Sequence, residues 1–202
     1  MRSVITECDI PHAGDLKIAR GAIITPSARD LARERGVRLI EVTAEQMDVA
    51  APNKTIAIGS DHGGFAMKEA LKPLFAELNL TLLDMGVHEG AAADYPDIAL
   101  KVAMAVREGR ATRGVILDGA GIGSAMAANK VPGIRAALCY DKASARNSRE
   151  HHDANVLTLG GRLLTQTQAE DVLRIWLATA FGGGRHQARI DKITAIEKAY
   201  LK

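Results

Sequence analysis

Two rhythms of hydrophobic positions run through this chain of 202 residues. Short apolar runs are followed by longer stretches in which apolar residues recur every three or four positions. That is the pattern of strands feeding amphipathic helices. The clearest unit is 115–130, VILDGAGIGSAMAANK. Val115, Ile116 and Leu117 form a continuous apolar run, as a parallel strand covered on both faces requires. A glycine loop and a short helix to Lys130 follow. The same alternation predicts strands over 56–60, 81–86, 114–117, 134–140 and 156–159. Further helices are expected over 65–78, 94–109, 144–152, 166–181 and 187–201. Pro96 suits a first helical turn and Gly109 a helix stop. Gly182, Gly183 and Gly184 separate the last two helices.

Strands alternating with helices imply an α/β fold: a doubly wound five-stranded parallel sheet, a Rossmann-like three-layer sandwich. Right-handed crossovers put the C-terminal ends of all its strands on one edge. Asp61 and His62 follow the first strand, Asp118 the third and Asp141 the fourth, so a single site is expected at that edge. Residues 1–50 read differently, with a strand over 22–25, a charged helix over 27–35 stopped by Gly36, and a strand over 37–42. This is a small N-terminal α/β appendage. The composition shifts at 49–54 (VAAPNK), and the main domain is expected over 54–202.

Composition narrows the class. The chain is 47% hydrophobic and 25% charged, as soluble globular proteins are, but only 3% aromatic, so the core must be aliphatic. A net charge of +2 without interleaved aromatic and basic residues argues against nucleic acid as a partner. No apolar run is long enough to span a membrane, and the N-terminus lacks a signal-peptide core. Cys8 and Cys139 are too few and too far apart for a disulfide framework or a zinc site. Cys139, in AALCY, reads as a buried strand residue. A cytoplasmic, reducing location is expected.

The candidate chemistry gathers around the glycine loop. Gly119, Gly121 and Gly123 leave backbone N–H groups open ahead of a helix N-terminus. Asp118 stands where the strand meets that loop, a candidate base beside a candidate anion site. A dinucleotide reading fits poorly. The third position of G-x-G-x-x-G is Ser124, and Asp118 would repel a pyrophosphate, although Asp141 lies near the place of a ribose-binding acid. His62 is either a capping histidine or a contact for an anion or hydroxyl. His151 and His152 are adjacent and share no helix face, and no third ligand recurs nearby, so a metal site is not expected. Proton transfer suits a histidine there better. Arg185 and Arg189, four residues apart, share a helix face that is either solvated or suited to bidentate phosphate binding. Arg162, after LGG, adds a third cation.

Six motifs in order resemble the type B ribose-5-phosphate isomerase family, which includes the galactose-6-phosphate isomerase subunits. They are GSDHGG (59–64), DYP (94–96), the GxGxG loop followed by AANK (119–130), PGIRAAL (132–138), SREHHDANVLTLGGR (148–162) and GGRHQARI (183–190). The resemblance spans about 55–197. It implies an aldose–ketose isomerase of phosphorylated sugars, ribose 5-phosphate first, working through a cis-enediolate without metal or organic cofactor. It implies that Asp61 and Tyr95 contact sugar hydroxyls and that His151 helps open the furanose ring. His62, Arg162, Arg185 and Arg189 match phosphate-binding positions. The loop glycines, His152 and Asn155 are placed with the substrate. It further implies a homodimer with shared active sites, or a tetramer, in which the last helix serves the neighbouring subunit.

The chain departs from the family at the base. Many members carry cysteine where Asp118 stands, and a Thr or Ser where Ala120 stands. Another branch carries a glutamate base at Ser124. Asp118 is therefore expected to be the base, with Ser124 and His151 as the other catalytic candidates. Its carboxylate is expected to lie against Ile116 and Ile122, and the loop N–H groups are expected to hold the enediolate oxygen. The alternative is a non-catalytic sugar-phosphate-binding or scaffolding protein on the same fold. In the appendage, ITPSARDLARERGV resembles a short module of bacterial microcompartment enzymes. That implies docking to a shell or partner enzyme, with a plain extension of the domain as the alternative.

Overall fold

The computed structural model describes residues 4–11, 14–42, 54–89 and 92–200. The composition shift at 49–54 falls largely outside them, as does Leu201, where the last predicted helix ends. The chain divides into two compact units, Met1–Pro52 and Asn53–Lys202.

The first unit holds two parallel strand pairs and a helix. Strand β1 (Val4–Ile5) pairs with β3 (Ile23–Ile24), and β2 (Asp15–Ala19) with β4 (Arg38–Val42). Helix α1 (Pro26–Glu34) starts with Thr25, whose hydroxyl accepts the N–H of Ala28 at 3.2 Å. Ile10, Ala28, Ala32 and Val37 make a small core. Strands β1 and β2 were not anticipated from the sequence. Each gains its place from a partner about twenty residues further along, and Asp15 is tied to Arg38 by two hydrogen bonds of 2.7 and 2.9 Å.

The second unit follows the predicted alternation: β5 (Thr55–Ser60), α2 (Phe65–Glu77), β6 (Thr81–Asp84), α3 (Tyr95–Arg107), β7 (Arg113–Asp118), α4 (Ile122–Ala128), β8 (Ala136–Leu138), α5 (Lys142–Glu150), β9 (Val156–Gly160), α6 (Gln166–Ala178) and α7 (Gln187–Tyr200). The sheet is parallel, in the order β6-β5-β7-β9-β8. Alternation along the strands sorts their side chains onto two faces. Ile56, Ile58, Val115, Leu117, Leu157 and Leu159 pack with Leu71, Phe75, Leu173 and Trp176 beneath α2, α5 and α6. Ala57, Ile116 and Val156 pack with Ala99, Val102 and Ala128 beneath α3 and α4.

Boundaries moved where side chains intervene. The strand expected over 134–140 spans only three residues, and it starts after Arg135, whose N–H is taken by the Asn155 side chain at 2.8 Å. The helix expected over 144–152 begins at Lys142. Asp141, expected at the ligand edge, is its N-cap and accepts the Ser144 N–H at 2.7 Å. Cys139 is buried just beyond β8, and burial pushes its thiol up from the ordinary range.

Candidate active site

The C-terminal ends of β5, β7 and β9 meet at one edge. The Asp61 N–H donates to the Leu117 carbonyl at 3.1 Å, the Gly161 N–H to that of Asp118 at 2.7 Å, and the Arg162 N–H to that of Gly119 at 3.1 Å. Asp61, Asp118, the 119–124 loop and Arg162 are therefore locked together by backbone. Asp61 is buried, and its Oδ1 accepts the Gly64 N–H at 2.9 Å.

Asp118 is 5% exposed and turned back into its own loop. Its Oδ1 accepts the N–H groups of Ala120, at 2.8 Å, and of Gly121. Its Oδ2 accepts the Ser124 N–H at 2.9 Å. An ionised carboxylate offers about four lone-pair directions, so one on Oδ2 stays open. This corrects the expectation for Gly121 alone among the three glycines expected to leave open N–H groups, since its N–H, with those of Ala120 and Ser124, already serves Asp118. Those of Ile122 and Gly123, in the first turn of α4, have no partner within the helix. Ile116 is fully buried and Ile122 is 46% exposed. Ser124 is fully buried, and its hydroxyl has no hydrogen-bond partner among the described residues.

Two glycines in the loop are required by geometry. Gly121 sits at φ +79°, and a Cβ there would lie 2.9 Å from the Leu159 carbonyl carbon. A Cβ on Gly123 would lie 2.5 Å from Cε2 of Tyr95, so the tyrosine ring rests on the first turn of α4. Tyr95 opens α3 and is held by the Pro96 turn beside the loop. His62 is exposed and lines a groove with Asp94, Asp97 and Lys101. The Arg162 side chain runs over Gly119, with its Cδ 3.7 Å from where a Cβ would stand.

The remaining predicted site residues lie elsewhere. Asn155 immediately precedes β9, at the opposite end of the strand from Gly160, a separation of about 16 Å at ~3.3 Å per residue. Its amide is spent on fold, accepting from the Arg135 N–H and donating to the Gly133 carbonyl, each at 2.8 Å. His151 caps the C-terminal end of α5, and the His152 carbonyl accepts from Arg135 Nε at 3.1 Å. The His151 ring stacks on His186, with centroids 4.2 Å apart and planes 9° from parallel. His186 sits in the turn that carries Arg185, ahead of Arg189 on α7, and both arginines are exposed. Burial, followed by the charges of His151, Arg185 and Arg189, pushes the His186 imidazole down from its ordinary value. One chain thus presents two groups: a carboxylate and loop group at the strand ends, and a histidine and arginine group at the other end of the sheet. Asn147, which sequence reasoning missed, belongs to the second group, with its Nδ2 2.8 Å from His151 Nδ1. Among the described residues, no cluster of three or more His, Cys, Asp or Glu could hold a metal ion.

The sequence pattern of the Ribose/Galactose Isomerase family matches residues 56–193. The chain belongs to the ribose/galactose isomerase family. Ribose-5-phosphate isomerase B of Escherichia coli is 41% identical over 145 residues, which are 72% of this chain and 97% of that protein. The solved structure of Clostridium thermocellum ribose-5-phosphate isomerase B superposes with a TM-score of 0.71 at 47% identity, covering 72% of this chain and 99% of that one. The Trypanosoma brucei type B enzyme superposes with a TM-score of 0.69 at 42% identity, covering 71% and 98%. The family match begins after the first unit, which therefore lies outside it. Among the described residues, no helix is long and apolar enough to cross a membrane.

Proposed function

We propose that this family member interconverts an aldose and a ketose of a phosphorylated sugar, ribose 5-phosphate and ribulose 5-phosphate first, with Asp118 as the base. The observation that carries this is the Asp118 carboxylate: buried at the strand ends, fixed by three N–H groups, with one lone pair of Oδ2 unspent. In the open-chain aldose, Oδ2 takes the proton from C2 as the C1 carbonyl becomes an enediolate. The same oxygen returns that proton to C1 as the C2 hydroxyl passes its proton to the C1 oxygen and the C2 carbonyl forms. The Ile122 and Gly123 N–H groups supply donors for the enediolate oxygen. The open oxygen of Asp61 and the hydroxyl of Tyr95 orient sugar hydroxyls, and His62 with the cations Arg162, Arg185 and Arg189 holds phosphate.

Because His151, Arg185 and Arg189 stand at the far end of the sheet from Asp118, the reading requires a second copy of the chain. We infer a homodimer whose partner brings its histidine and arginine group to the carboxylate edge, with a tetramer as a further assembly. The cytoplasm is the expected location. The first unit is read as a docking module for a microcompartment shell or partner enzyme, so removing 1–53 should leave turnover intact while abolishing that association.

Proton NMR in D2O with ribose 5-phosphate, followed by other phosphorylated tetroses, pentoses and hexoses, tests the reading. Loss of the C2 proton signal with ketose appearing supports it. No exchange with any sugar favours the second reading, a sugar-phosphate-binding protein. That reading has one specific support: the carboxylate spends most of its hydrogen-bonding capacity on its own loop.

A further inference from the structure

Three observations bear on the His151 ring. Its Nδ1 lies 2.8 Å from the side-chain Nδ2 of Asn147, one helical turn earlier on α5. Its Nε2 lies 3.9 Å from Oε1 of Glu150. One face is covered by the parallel ring of His186 at 4.2 Å. An amide NH2 can only donate, so the Nδ1 opposite it must accept. A neutral imidazole that accepts at Nδ1 carries its proton on Nε2. The Glu150 carboxylate beside Nε2 favours the same tautomer.

We propose that Asn147 is a positioning residue for His151, holding the neutral ring in its Nε2–H form so that Nε2–H is offered as a hydrogen-bond donor to a sugar oxygen. This rests on the reading of His151 as the residue that assists ring opening. The in-plane bond to Asn147 and the stack on His186 fix two different rotations of the ring, so together they define the direction of Nε2–H. Asn147 and His151 line a groove of about 420 Å³ with Lys142, Arg146 and Glu150. His152, edge-on at 6.2 Å, and Arg185 and Arg189, which act on His186, complete the charged or titratable surroundings. The residue type at 147 decides the tautomer. A carboxylate would accept from Nδ1–H and reverse it, and an aliphatic side chain would leave only the weaker pull of Glu150 across 3.9 Å.

The test is long-range proton–nitrogen correlation NMR of the full chain with labelled histidine, the His151 signals being assigned by their loss in His151→Gln. In the free protein at a pH where His151 is neutral, Nε2 is expected to carry the proton. In Asn147→Leu the two tautomers should mix, and in Asn147→Asp the proton should move to Nδ1. Melting temperature confirms that each variant folds. With ribose 5-phosphate, Asn147→Leu should lower kcat about tenfold with little change in KM. An aldose phosphate too short to close a furanose ring should be turned over as by the parent protein. A wild-type Nδ1–H form, or a tautomer unmoved in Asn147→Leu, overturns the proposal. The spectra need no substrate, so the expected tautomers together with no isomerisation of any sugar would sink the isomerase reading and leave the positioning role standing.

Discussion

A single carboxylate carries opposed duties at the strand edge. Asp118 closes its loop by accepting three N–H groups, and by the proposed reaction it must also take a proton from carbon. Asp118→Asn separates these duties only in part. The new NH2 must face either Ser124 N–H or the Ala120 and Gly121 pair, donor against donor. It is expected to lower stability by about 1–3 kcal/mol, seen as a lower urea midpoint, and to abolish C2 proton exchange. An exchange rate equal to the parent's would rule Asp118 out as the base. Gly123→Ala probes the other wall. Its methyl would meet the Tyr95 ring at 2.5 Å, so the ring must move. We expect a rise in KM with a loss of about 1–3 kcal/mol in stability.

Between elements, α2 is riveted to the loop after β6. The fully buried Lys68 ammonium donates to both oxygens of Asp84, at 2.9 and 3.0 Å, and to the Val87 carbonyl at 2.8 Å. Lys72 reaches Asp84 at 2.6 Å. That loop in turn brackets Ser60, whose N–H donates to Gly86 and whose carbonyl accepts from Val87, so the rivet supports the strand end that presents Asp61. Burial alone would raise the Asp84 carboxyl, but hydrogen bonds from Lys72, the Gly86 N–H and Lys68 outweigh it and bring it from 3.8 down to about 2. Because the folded value lies below the unfolded one, the stabilisation is complete above the unfolded value and is lost as pH falls from about 4 to about 2, roughly 2 kcal/mol in all. Urea midpoints across that window should show the loss, and Asp84→Asn should lack this part of it.

For the whole molecule, the question is how the two separated groups meet. If one site takes Asp118 from one subunit and His151 from another, two inactive variants can repair each other. In a mixed dimer of Asp118→Asn and His151→Gln, one site carries both changes and the other carries neither. After denaturation and refolding of an equal mixture, about a quarter of the parent activity is expected, since half the dimers are mixed and each has one intact site. Sites complete within one chain would give none.

Much of the fold was legible because burial imposes its period directly on the sequence. Ile56 and Ile58 belong to one layer and Ala57 to the other, and the Val115–Leu117 run behaves likewise. The glycine loop with its acid was readable for a similar reason, since Gly121 at φ +79° and Gly123 beneath Tyr95 tolerate almost no other residue. Polar residues with interchangeable uses were not legible. Asp141 caps a helix, and Asn155 braces the turn at the start of its strand, at the end opposite Asp118. Asn147 had no motif to mark it. Strand β2 is held by a partner that local pattern cannot name. The sequence by itself determined the alternation, the layers and the residues crowded at strand ends, because each follows from local periodicity and backbone sterics. Only the tertiary structure decided that Asp118 fills its own loop and that His151 stands a strand length away, because hydrogen-bond partners and distances arise when segments remote in sequence pack together.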